Sequence, residues 1–343
     1  MSIDTTMQSI WYGNSRIAWL LLPLSWLFGG IVAIRRWLYR IGWLSAIHLS
    51  KPVIVVGNIS VGGTGKTPLV IWLANMLSSR GFKVAVIARG YRGAAAEWPQ
   101  VVSISSDAAL VGDEPVLIAQ QTGAIVVAGP DRVADAQRAI ELGADVIVSD
   151  DGLQHYRLHR NCEIVVLDSS RLMGNGYLLP AGPLRENAKR LNTADLLLIN
   201  QRTTTLVDDS VRWDHLSYRV ELRHLRALKS GEIRSMESLR GQQVHVVTGI
   251  GNPHAFIDAL QQFGTKVLPP RILADHATIT PRDIQFGDAL PVLMTTKDAV
   301  KCRPLSLNDQ YWVVDADVAF EAKAMEVVTE RVLASINRFN SGS

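Results

Sequence analysis

Cysteine is scarce in this chain: Cys162 and Cys302 are the only two among 343 residues. Two cysteines cannot build a disulfide framework, and neither stands in a zinc-ligand spacing, so a reducing compartment is expected. Charge of one sign is scarce too. The 35 basic and 32 acidic residues leave a net +3, too mild to argue for nucleic acid, and no nucleic-acid partner is expected. No internal repeat or low-complexity tract is visible, which sets aside solenoids. At 48% hydrophobic and 20% charged, the chain is neither disordered nor fibrous, and its length suggests two domains. Tryptophan, by contrast, is plentiful: nine, against seven each of Tyr and Phe. Five of them, Trp11, Trp19, Trp26, Trp37 and Trp43, fall within the first 43 residues, which implies a different solvent for that end.

Between Arg16 and Arg35 lie eighteen residues without a charge, followed by Arg35, Arg36 and Arg40. That run is at the lower limit for spanning a bilayer, and Pro23, Gly29 and Gly30 weaken its helix. Trp and Arg suit the headgroup region, so the segment spans, dips into or lies along a membrane surface. A signal peptide would want basic residues before the run and a small-residue cleavage site after it. A helix buried on its own protein has the same periodicity and stays open as an alternative. The basic residues after the run favour keeping the rest of the chain in the cytoplasm.

From Pro52 onward, short β-branched runs alternate with helix-length stretches. The runs at 52–58, 83–89, GAIVVAG, ADVIVSDD, CEIVVLD and ADLLLIN have continuous apolar centres, as in parallel sheets covered on both faces. The expected fold is α/β: a P-loop NTPase-like, doubly wound, mostly parallel sheet with a second, smaller α/β domain. The divisions expected are 1–50 for the membrane-associated segment, 51–215 for the core, 216–240 for a linker and 241–343 for the smaller domain.

After the first strand comes N-I-S-V-G-G-T-G-K-T-P and then a helical stretch. Such a turn aims backbone N–H groups and the positive end of a helix dipole at one anion. Ser60, Val61, Gly62, Gly63, Thr64, Gly65, Lys66 and Thr67 are the expected nucleotide contacts, Lys66 reaching the β and γ phosphates and Thr67 holding Mg²⁺. Ser60 stands where the common pattern has glycine. Asp150 and Asp151, at the end of another apolar run, supply the carboxylates that such a loop needs for the metal. Asp113 and Glu114 open a further helix, where acids serve either chemistry or the dipole.

GNISVGGTGKTP, ARGYRG (88–93), GDEP (112–115), GPDR (129–132), SDDGLQH (149–155), PAGPLRE (180–186), VTGIGNPHAF (247–256), Asp275 with His276, and TTKDAVK (295–301) together resemble the tetraacyldisaccharide 4'-kinase family of the lipid A pathway in Gram-negative bacteria. The resemblance runs in order over about residues 10–330. Arg92 and Thr296 depart from residues common in that family. The resemblance implies a kinase that uses ATP and Mg²⁺ on a tetraacylated glucosamine disaccharide 1-phosphate, giving lipid IVA at the cytoplasmic face of the inner membrane. It implies Asp113 as general base with His276 as its support, beside Lys66. It also places Arg89, Tyr91, Glu114, Arg132, Gln154, His155 and Arg185 on the substrate side, and Lys297 and Asp298 on the nucleotide, although Asp298 is equally a helix-capping residue by position. The rival reading is a membrane-associated P-loop GTPase or ATPase switch; a soluble ligase of related fold is disfavoured by the apolar amino terminus.

Overall fold

The computed structural model describes residues 3–342 apart from 14, 92, 203–211, 276 and 303–307; His276 and Arg92 therefore lie outside the described residues. Two helices come first, α1 (Ile3–Tyr12) and α2 (Ile17–Arg40). Next along the chain are β1 (Val53–Gly57), α3 (Lys66–Ser78), β2 (Val84–Ala88), β3 (Gln100–Val102), α4 (Ala108–Val111), α5 (Asp113–Gln121), β4 (Ile125–Ala128), α6 (Arg132–Glu141), β5 (Val146–Asp150), β6 (Cys162–Asp168) and β7 (Leu196–Asn200). The remainder is β8 (Leu216–Ala227), β9 (Ile233–Ser235), β10 (Gln243–Thr248), α7 (Pro253–Gln262), β11 (Lys266–Val267), β12 (Arg271–Ile272), α8 (Pro281–Ile284), β13 (Val292–Thr295), α9 (Thr296–Cys302), β14 (Tyr311–Phe320) and α10 (Ala322–Asn340).

Among the described residues all fourteen strands join one sheet, in the order β11-β10-β13-β14-β8-β7-β6-β1-β5-β2-β4-β3, with β12 on β10 and β9 on β8. Pairing is parallel except for β14 with β8, β3 with β4 and β9 with β8. The apolar strands are buried on both sides because successive side chains point to opposite faces. Ile54, Val56, Val86 and Val148 pack with Leu69, Leu73 and Val116 on one face. Val53, Val55, Ala85 and Ile87 pack with Val133 and Ala136 of α6 on the other. The sheet is thus doubly wound, as expected.

The stretch 216–240, read from sequence as a linker, is occupied by β8, β9 and a short 3-10 turn. Its polar alternation arises because β8 has exposed and half-buried positions along its length, not because it lacks structure. β8 pairs with β7 through Leu216–Tyr218 and with β14 through Tyr218–Ala227. It thereby ties the second βα series into the first.

Helix α2 inverts the rule for a surface helix of a soluble protein. Its inward stripe carries small residues: Ala18 and Ser25 are buried, and Gly29 lies against Leu178. Its outward face carries Trp19, Leu20, Trp26, Leu27, Ile31, Ile34 and Trp37, exposed by 56 to 79%. The alternative of a helix buried on its own protein is therefore not what the fold contains. Contacts run along the helix: Ser25 Oγ donates to the Leu178 carbonyl at 2.7 Å, Arg36 reaches Thr193 Oγ1 at 3.1 Å, and Tyr39 meets Tyr156.

Candidate active site

Strand β1 ends at Gly57, and the chain turns through 58–65 into α3. Gly65, the residue before the helix, has φ 84°, a left-handed conformation that favours glycine. A side chain there would also collide with Asn200. No side chain caps α3, so its first N–H groups remain available for an anion, as phosphate binding requires. Three groups hold the loop by its carbonyls. Asn200 Nδ2 donates to Thr64 O at 3.2 Å, the Tyr218 hydroxyl to Gly65 O at 2.9 Å, and Arg202 Nη2 to Gly63 O at 3.2 Å. Ser60 and Val61 are pinned on the lead-in side: Ser60 bridges Leu184, and the Val61 N–H donates to the Pro183 carbonyl at 2.8 Å.

The two adjacent acids lie beside the loop, since β5 is the parallel neighbour of β1. Thr67 Oγ1 donates to Asp150 Oδ2 at 3.3 Å. The other Asp150 oxygen is buried without a hydrogen-bond partner. Burial first, and then the nearby charge of Glu114, push the Asp150 carboxyl up to about 7. A buried carboxylate oxygen without a partner, next to a hydroxyl at a phosphate loop, fits a hard divalent cation. Asp151 has φ 51° and faces Lys66 Nζ at 3.4 Å and Arg185 Nη1 at 3.2 Å. Burial alone would raise its pKa, but those two cations hold it well below the usual carboxylate range.

Around these groups the expected substrate residues divide. Gln154 donates to the Asn58 carbonyl at 3.1 Å and to Glu186 at 2.9 Å, and accepts from Arg185 at 3.4 Å. Arg132 is 2% exposed, its guanidinium donating to Gly129 O at 2.7 Å and Asp150 O at 3.3 Å; it braces the site from behind. Arg132 and His155 also line a cleft of about 370 Å³ with Arg35, Tyr39, Asp131 and Arg157. Burial, and then Arg132 and Arg89, lower His155 to about 4, so it is neutral near pH 7. Arg89 and Tyr91 face each other at 5.8 Å, with Tyr91 largely exposed.

Asp113 opens α5 after Gly112 and is buried. Its Oδ2 lies 3.6 Å from Lys301 Nζ, and its Oδ1 accepts the Glu114 N–H at 3.0 Å. Lys297 Nζ reaches Glu114 and Asp275, each at 3.3 Å. Burial would lower its pKa, but Glu114, Asp113 and Asp275 raise it. Asp298 is fully buried and holds the end of β10, accepting from Gly249 N and Thr248 Oγ1 at 3.0 Å each and from Thr295 Oγ1 at 2.7 Å. Sequence reasoning missed Asn200, Tyr218, Arg171, Arg202 and Lys301. Asn200 ends β7 and Tyr218, its partner across the β7–β8 pairing, lies near the start of β8; no local motif marks them.

The family model for Tetraacyldisaccharide-1-P 4'-kinase matches residues 17–333. The chain belongs to that family. A tetraacyldisaccharide 4'-kinase from Alkalilimnicola ehrlichii is 44% identical over 321 residues, covering 94% of this chain and 93% of the relative. One from Nitrosococcus oceani is 42% identical over 338 residues, covering 97% of each. Among solved structures, LpxK from Aquifex aeolicus in complex with ATP superposes with a TM-score of 0.77 at 30% identity, over 93% of this chain and 99% of that one.

Proposed function

We propose that this family member transfers the γ-phosphoryl group of ATP to the 4'-hydroxyl of a tetraacyldisaccharide 1-phosphate, giving lipid IVA at the cytoplasmic face of the inner membrane. The observation that carries the reading is the uncapped start of α3 behind Gly65, with Lys66 on Asp151 and Thr67 on Asp150. Family membership favours a kinase over a nucleotide-dependent switch.

Phosphoryl transfer asks mainly for positioning and charge neutralisation. The N–H groups of the loop and Lys66 hold the β and γ phosphates. Thr67 and Asp150 would hold Mg²⁺, which when bound neutralises charge on those phosphates. Asp113 accepts the proton of the 4'-hydroxyl as its oxygen bonds to the γ phosphorus and the bond to ADP breaks. Lys301 and Glu114 N–H fix the carboxylate, and His276 is its expected support. Lys297 and Asp298 belong to the nucleotide side, Asp298 by shaping the turn that carries Lys297. The cleft between α2 and the loop before α6 suits an acceptor headgroup bearing phosphate, with Arg35 and Arg157 at its rim.

The outward apolar face of α2 supports membrane association. At about 1.5 Å per residue its 24 residues are long enough to span. Its inward face, however, is packed on residues 178, 193 and 156 along its length. Crossing upright would carry those polar segments into hydrocarbon, so α2 lies along the surface with its large side chains in the leaflet.

The test is transfer of labelled γ-phosphate from ATP to a tetraacyldisaccharide 1-phosphate in detergent micelles. Asp113→Ala should lower kcat about a hundredfold or more with little change in KM for ATP; unchanged turnover would remove the base. A wild-type chain that hydrolyses ATP without labelling the lipid would favour the switch.

A further inference from the structure

A half-buried polar chain centred on the buried Glu186 runs from the membrane helix to the phosphate loop, and the proposed transfer does not use its middle. It begins at Tyr39 of α2, whose ring lies 5.8 Å from that of Tyr156 at a tilt of 37°, within the range of favourable aromatic pairs. Arg35 and Arg160 hold their guanidinium carbons 6.0 and 5.3 Å from the Tyr156 ring. The Tyr156 hydroxyl donates to Glu186 Oε2. Glu186 is 2% exposed; its other oxygen accepts Gln154 Nε2 at 2.9 Å, and Arg190 Nε lies 3.5 Å away. Gln154 turns both of its polar ends to the site: the amide donates to the carbonyl of Asn58, where the loop begins, and the oxygen accepts from Arg185. Arg185 in turn meets Asp151, the partner of Lys66.

The backbone repeats the same connection. The segment 174–186 is bonded to the helices on one side, through Trp11 Nε1 to Pro180 O at 2.9 Å and Ser25 to Leu178 O. On its other side Arg185 N donates to Ile59 O at 2.7 Å and Val61 N to Pro183 O. One segment therefore touches both the membrane-facing helices and the start of the phosphate loop.

We infer that Tyr156 and Glu186 are positioning residues that couple the seating of α2 to the Arg185, Asp151 and Lys66 cluster, so that the membrane helix sets the geometry of phosphoryl transfer as well as the location of the enzyme. The inference rests on the proposed role of Lys66 and Asp151 in that transfer. A buried carboxylate with two neutral donors and a cation has one well-defined arrangement, and loosening it frees Gln154 to turn away from Arg185. Most of the ground-state hold on ATP comes from the backbone N–H groups of the loop, which this change leaves in place, and Lys66 keeps its charge. The loss should therefore fall on kcat.

Tyr156→Phe removes one hydroxyl and leaves the ring pair and the Glu186–Arg190 contact, so the protein should fold, with a modestly lowered melting temperature from the lost donor to Glu186. In the full-length chain on saturating micellar lipid, kcat should fall about tenfold, the lower end for partners behind a metal ligand, with KM for ATP within about twofold. Tyr39→Leu should give a similar loss. Because both act along one path, the double variant should lose no more than the more damaging single variant; independent losses that multiply to about a hundredfold would overturn the coupling. So would wild-type kcat in Tyr156→Phe. Lys66→Met separates the two failures: if it is inactive while Tyr156→Phe is normal, only the coupling falls, and if it is active, the proposed roles of Lys66 and Asp151 fall with it.

Discussion

At the scale of single residues, the site is built from groups whose neighbours set their charge. Asp150 and Asp151 are adjacent in sequence and opposite in character. Asp150, buried with one oxygen unpartnered, resists ionisation, whereas Asp151, between two cations, is held ionised. His155 yields a clean pH test. Its pKa is lowered by burial, first, and then by Arg132 and Arg89, so the unfolded chain binds a proton at a pH where the folded chain does not. Stability should then fall as pH drops from about 6.5 toward about 4, and His155→Gln should flatten that slope in thermal melts. An identical slope in the variant would place the acid sensitivity elsewhere. The loop and the acid pair were legible in the sequence because phosphate chemistry uses contiguous residues. Asn200 and Tyr218 were not, because what aims them at Thr64 and Gly65 is the register of β7 and β8. Lys301 stands in the sequence only as the end of a motif; its pairing with Asp113 joins residues far apart in the chain.

At the scale of elements, α2 and β8 depart from their simplest sequence readings for different reasons. The apolar run of α2 left three depths open, because hydropathy counts residues without saying which face they occupy. The fold separates the faces, and its small inward residues allow a close approach to Leu178. Two variants distinguish the faces. Leu20→Ser with Leu27→Ser should weaken vesicle binding, each leucine being worth about 1.5–3 kcal/mol when fully buried, and leave the thermal midpoint unchanged. Ser25→Leu should instead lower the midpoint by overpacking against Leu178, about 1–3 kcal/mol. Flotation and calorimetry on the same preparations read both; equal effects from the two faces would contradict the arrangement. For β8, the weak alternation that suggested a linker is the signature of a strand with one wetter face, a pattern that composition cannot separate from a polar connection.

At the scale of the whole molecule, a continuous sheet puts both βα series on one frame. The β10–α7 loop approaches the phosphate loop: Gly251 lies against Gly63, and Arg171 reaches the Gly251 carbonyl at 3.5 Å. Helix α9 meets the opening of α5 through Lys297 in its first turn and Lys301 in its last. ATP bound at the first series should therefore stabilise the second as well. At a concentration a hundred times Kd it should add about 2.7 kcal/mol, and hydrogen exchange at β13 and α9 should slow along with that at α3. Slowing confined to α3 would mean that the two series answer separately.

The cradle for α2 also fixes an order of events during synthesis. The carbonyl that receives Ser25 belongs to Leu178, 153 positions later in the chain, and the one that receives Trp11 is 169 positions later. Until that stretch has left the ribosome, neither α1 nor α2 has these partners for its inner face, while the outer face of α2 is already rich in Trp and Leu. If that outer face seats in a bilayer, as proposed, it is free to do so during this interval, before the kinase core has closed over the inner face.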